Sequence, residues 1–114
     1  MAQNYIKNIN VAEVLTLVDL VTYQDNQIVS KTLAQNPAIS ITLFAFDQNE
    51  EISSHESEGD AMIVALDGEA EITIADEKFI LKKGETIVMP SKKPHAVYAK
   101  EPFKMFLVVV FPPK

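Results

Sequence analysis

The chain has 114 residues, with a hydrophobic share of 47%, a charged share of 23% and a formal net charge of -6; this suits one soluble domain with its own core and argues against disorder. The lysine pairs Lys82-Lys83 and Lys92-Lys93 stand beside apparent turns among acids, so there is no contiguous basic face for nucleic acid, and no apolar run reaches the length of a membrane span. Cysteine is absent, which excludes disulfides and thiolate chemistry; with no signal-like start, a cytoplasmic location is expected.

Near the N-terminus, Val11, Val14, Leu15 and Val18 fall at helical spacing behind Asn10, which predicts one or two helical turns over residues 10–17 with Asn10 as cap. From Leu20 onward the pattern becomes short β-rich runs between turn residues. Residues 21–23 and 28–33 flank Asp25-Asn26 and read as an N-terminal hairpin. In residues 38–46, Ile39, Ile41, Leu43 and Ala45 alternate with Ser40, Thr42, Phe44 and Phe46, a strand that starts half exposed and ends covered on both faces.

An acidic loop over residues 47–51 leads through Ile52 to His55, and the polar segment 56–59 precedes an apolar run over 61–66. Asp67-Gly68 then predicts a type I′ hairpin turn, because both residues tolerate positive φ. The return strand, residues 69–75, sets Glu69, Glu71 and Thr73 against Ala70, Ile72 and Ile74, so one face should be wet. Asp76-Glu77 turns into a strand over 78–81, Lys82-Lys83-Gly84 into one over 85–89, and a prolyl loop over 90–94 delivers His95. The last strand, 103–111, stops where Pro112 and Pro113 remove two backbone donors. This succession of strands predicts an all-β antiparallel barrel or jelly roll in a single domain over residues 1–114. Phe44, Phe46, Met62, Phe103, Met105 and Phe106 are read mostly as core.

Against this background the chain resembles a small single-domain cupin, with the barrel signatures over about residues 38–111. The first cupin signature is a Gly, a His-x-His pair, a Glu and a closing Gly; His55 takes the first His and Gly68 the closing Gly, while Asn49, Ser57 and Ala61 stand at the first Gly, the second His and the Glu. In the second signature Gly84, Pro90 and His95 are in register, with Lys92 and Ala99 replacing a Gly and an Asn. The resemblance implies a conical double-stranded β-helix barrel whose metal, when present, is held by three residues of the first signature and the His of the second.

Two of those four ligands remain, His55 and His95. A third is sought among carboxylates, since serine is a poor transition-metal ligand beside imidazole and alanine offers none. Glu56 and Asp60 are out of phase with His55 on a straight strand; Gly59 can break the alternation, which makes Asp60 the proposed third ligand and leaves Glu56 a solvated residue. Ser57, Ala61 and Met89 are expected to line the pocket at the barrel mouth.

The expected function is small-molecule binding beside a degenerate site for a divalent metal (Fe, Mn, Ni or Zn). A metal-dependent oxygenase or isomerase of a small oxygenated substrate is the alternative reading, and a metabolite-sensing or structural module the third. A homodimer is expected, because an N-terminal hairpin leaves a sheet edge with unpaired backbone groups.

Overall fold

The computed structural model describes residues 4–113; residues 1–3 and 114 of the expected domain lie outside them. Its strands are β1 (Ile28–Gln35), β2 (Ile39–Phe46), β3 (Glu51–His55), β4 (Asp60–Asp67), β5 (Glu69–Ile74), β6 (Glu77–Lys82), β7 (Thr86–Met89), β8 (His95–Ala99) and β9 (Phe103–Val110). They build two antiparallel sheets, ordered β1-β2-β9-β4-β7 and β3-β8-β5-β6. Non-consecutive neighbours in both sheets make this a jelly roll.

Alternation sorts the side chains between the sheets. Ala61, Ile63 and Ala65 of β4, Ala70 and Ile72 of β5, Met89, Val97, and Phe103 and Met105 of β9 meet Phe46 in the main core. Each is buried to within a few per cent, and apolar area withdrawn in this way is the main favourable contribution to folding. On β2 the inward residues are Ser40, Thr42, Phe44 and Phe46. Its other row, with Leu43 and Ala45 fully buried, points to the outer face of the five-stranded sheet, where Ile9, Leu17, Leu20, Val21 and Tyr23 cover it.

Three local expectations are corrected. Residues 10–16 form no helix: Ala12 has a φ of 59°, which an α-helix cannot contain, and the one helical turn among the described residues is a 3-10 turn at Leu17–Leu20. Of their apolar residues Val11, Val14 and Leu15 stay exposed, while Ile9 before them and Leu17 and Leu20 at their end pack on the sheet. The hairpin of residues 21–23 with 28–33 does not exist either; β1 pairs with β2, and residues 21–23 run as a strap over the sheet. Finally, Asp67-Gly68 is no hairpin, since β4 and β5 lie in different sheets. Gly68, with φ 74°, turns that corner, and a Cβ there would strike the Pro102 carbonyl.

Candidate functional site at the barrel mouth

Strand β3 pairs with β8, with Ile52 opposite Val97 and His55 opposite His95. Three steps on β3 thus match two on β8, an extra residue of the β-bulge kind. The bulge decides the site. Counted along a straight strand, His55 and Ile52 face opposite sides of the sheet; the extra residue brings His55 back to the side of Ile52 and directly across from His95.

The two rings meet edge to face with centroids 4.3 Å apart, and their Nε2 atoms are 3.1 Å apart. His55 Nδ1 lies 3.0 Å from the Ser53 carbonyl oxygen and His95 Nδ1 3.1 Å from that of Lys93. A carbonyl only accepts, so each Nδ1 carries the hydrogen, and these partners assign the tautomer. In the neutral rings both Nε2 atoms then carry a free lone pair, 3.1 Å apart. His95 is buried, at 3% exposure, while His55 is exposed. Burial holds the His95 pKa below its ordinary 6.5 against an opposing pull from the Lys93 carbonyl, with a smaller lowering from the neighbouring His55. His95 is therefore a neutral, lone-pair-bearing ring at neutral pH.

Behind the imidazoles lies a pocket of about 280 Å³ lined by Phe44, Ile52, Val97, Met105, Leu107 and Val109, with Ser57, Ala61, Met89 and Glu56 at its sides. The structure thus brings His55, His95, Ser57, Ala61 and Met89 together in one place. It does not bring Asp60. Gly59 leaves the alternation of β4 intact, so Ala61 points inward and Asp60 outward, where its Oδ1 accepts the Ser91 N–H at 2.8 Å. Glu56, read from the sequence as solvated, is exposed and also borders the pocket. The apolar back wall on β9 was not singled out; alternation of Met105, Leu107 and Val109 along one face was the available signal.

Two departures from the cupin signatures keep the backbone shape of the residues they replace. Asn49 and Lys92 stand where the signatures have Gly, and they adopt φ of 71° and 63°. Lys92 N–H donates to the Ser57 carbonyl at 2.8 Å, so this strained turn ties the His95 loop to the segment following His55. Asn49 is held by Tyr98, whose hydroxyl donates to its Oδ1 at 2.8 Å.

A metal can be tested against these donors. Two metal–imidazole bonds of about 2.0–2.1 Å, meeting at between a right and a tetrahedral angle, place their nitrogens roughly 2.8–3.4 Å apart. The 3.1 Å pair fits two adjacent positions on one ion. Among the described residues no group of three or more His, Cys, Asp or Glu is placed to share an ion, so the fit is that of a two-ligand site.

The family model of the cupin domain matches residues 42–111 of this jelly roll. The chain belongs to the cupin domain family. It is similar over its whole length, and that of the other chain, to the conserved SPY1581 protein of unknown function from Streptococcus pyogenes, at 47% identity and a TM-score of 0.97. A cupin superfamily protein (DSY2733) from Desulfitobacterium hafniense DCB-2 shares 34% identity at a TM-score of 0.90, over 94% of this chain and 98% of that one. A cupin 2 conserved barrel domain protein from Leptotrichia buccalis shares 40% identity at a TM-score of 0.82, over 84% of this chain and 47% of that one. No curated protein matches. Among the described residues no helix is long and apolar enough to cross a membrane.

Proposed function

We propose that this cupin binds a small, largely apolar oxygenated molecule in the barrel-mouth pocket, with His55 and His95 holding a divalent metal ion at its polar end through their Nε2 atoms. The supporting observation is the convergence of two Nε2 lone pairs at 3.1 Å while both Nδ1 hydrogens are committed to backbone carbonyls. Two such lone pairs repel unless both are shared by one cation beside them, and burial keeps His95 in the neutral form that a metal needs.

The wall limits the ligand. About 280 Å³ sits at the lower edge of the usual range for small-molecule pockets, so a small metabolite fits and a nucleotide does not. Phe44, Met105, Leu107 and Val109 receive an apolar body. No lysine or arginine lines the pocket, so ligand oxygens are best received at the imidazole end. A metal ion held there would supply Lewis-acid polarisation of a ligand oxygen. Ser57 Oγ accepts the Gly59 N–H at 3.2 Å and keeps its own hydrogen for a ligand acceptor.

Calorimetric titration of chelator-treated protein with zinc, nickel, manganese and ferrous ions tests the metal. One ion per chain is expected, lost in His55→Ala and in His95→Ala with the fold retained by circular dichroism. Failure of the parent protein to take up any of the four ions, or equal uptake by both variants, would sink this reading. A thermal-shift screen of small oxygenated compounds, with and without the ion, then tests the pocket.

A further inference from the structure

Two short connections frame the imidazole pair, residues 56–59 from β3 to β4 and residues 90–94 from β7 to β8. They are stitched together: Lys92 N–H donates to the Ser57 carbonyl and Ser91 N–H to Asp60 Oδ1, both at 2.8 Å. Just beyond these stitches stand Ala61 near the start of β4 and Met89 at the end of β7, which are direct cross-strand partners. Both are buried in the barrel interior and line the same pocket as His55 and His95.

Residues directly opposite on neighbouring strands hold their β-carbons about 4.5–5.5 Å apart. Ala61 ends at that atom, so the space in front of it is left to the Met89 side chain, which is unbranched and adapts to irregular gaps. Met105 lines the pocket too, but it stands opposite Ala65, roughly 13 Å further along β4 than Ala61. The donors at this end of the barrel are therefore two imidazole nitrogens and one thioether sulfur, all neutral. Carboxylates stay at the margin: Asp60 is occupied by the Ser91 N–H, and Glu56, which borders the pocket, is exposed.

This donor set has a consequence for the ion. The cost of taking an ion out of water rises with the square of its charge, so without a buried carboxylate a doubly charged ion costs about four times as much as a singly charged one. Softness points the same way. Thioether sulfur selects cuprous copper and imidazole suits copper as well, whereas manganese and magnesium take carboxylate and carbonyl oxygen. We infer that the ion this site holds most tightly is copper in its cuprous state, with Met89 Sδ as the third ligand beside the Nε2 atoms of His55 and His95. This rests on the reading above that the two imidazoles share one ion; it adds a ligand and ranks the ions, with divalent ions the weaker occupants.

Cuprous ion supplied without oxygen as its bathocuproine disulfonate complex tests this on the full chain, with a zinc titration in parallel. The parent protein is expected to withdraw one cuprous ion per chain and to hold zinc more weakly. Met89→Leu keeps the volume of the core, and it is expected to weaken cuprous binding by at least about tenfold with zinc affinity unchanged; a merely structural role of Met89 would move both ions together. Glu56→Gln should leave cuprous affinity as it is. X-ray absorption at the copper edge is expected to show sulfur beside nitrogen in the parent protein, and no sulfur in Met89→Leu. Equal cuprous affinity in parent and Met89→Leu, or a parent spectrum without sulfur, would overturn the inference, and a loss confined to Glu56→Gln would give the third position to that carboxylate instead. Zinc uptake that needs both histidines, without preferential cuprous uptake, defeats this inference alone. No uptake of any ion defeats the two-histidine reading with it.

Discussion

Lys92 shows how one residue can depart from a family pattern and still keep its shape. A β-carbon in the left-handed region costs about 1–2 kcal/mol, less for Asn than for most residues, and Lys92 bears that cost at a φ of 63°. Lys92→Gly is expected to raise the unfolding free energy by about 0.5–1 kcal/mol in urea titrations, the relief being offset in part by the greater freedom of glycine in the unfolded chain. Asn49→Gly should gain less. His95 makes a second expectation at this scale. Its folded pKa lies below 6.5, so on acidification the unfolded chain takes up the proton first. The stability it contributes is complete above about pH 6.5 and is lost as pH falls through the folded value. Urea midpoints of metal-free protein between pH 7.5 and pH 5 should fall more steeply than those of His95→Gln, and the His95 ring resonances should titrate below those of a free imidazole. The place of both histidines in the site was legible because each imidazole sits in a recognisable signature. Asp60 fails as a third ligand because the expectation that Gly59 breaks the strand alternation does not hold, and neither that unbroken alternation nor the bulge on β3 leaves a mark in local composition.

At the scale of elements, the strap over residues 4–23 is the part least legible in the sequence. Apolar residues three or four apart suggest a helix, yet Val11, Val14 and Leu15 stay exposed, and the positive φ of Ala12 that breaks the helix is not encoded by a glycine. The short β-rich runs were read well, because inward alternation leaves a pattern along each strand, but their partners were not: Asp67-Gly68 carries hairpin chemistry while turning a corner between sheets. Tyr23 pins the strap. Its hydroxyl donates to Asp67 Oδ2 at 2.6 Å, its ring lies 4.9 Å from the Lys104 ammonium, and Lys104 Nζ donates to the Val18 carbonyl at 2.8 Å. Burial, then the bond to Asp67, push the phenol well above its ordinary range. Tyr23→Phe is expected to cost about 1–2 kcal/mol, given a partly buried bond to a charged acceptor. Hydrogen exchange should then speed up at the Asp19 amide, bonded within the strap to Thr16, more than at amides of β8. Equal exchange at both places would mean that Tyr23 does not fasten the strap.

Across the whole molecule, the pairing of distant segments dominates. In the larger sheet β9 lies between β2 and β4, matching Ile39 to Val110 and Asp60 to Val110. Refolding is therefore expected in the millisecond-to-second range typical of non-local β topologies, rather than in microseconds, as stopped-flow fluorescence of the tyrosines would show. The same placement of β9 has a meaning for synthesis. Roughly 60 residues separate β2 from its partner β9, and at about 5–20 residues per second a ribosome needs on the order of 3–12 s to make them. For that interval β2, and for the later part of it β4 as well, is present without the strand that joins them, each presenting an open edge. This is a window in which a nascent-chain chaperone has a substrate, and it closes only when residues 103–110 have cleared the exit tunnel.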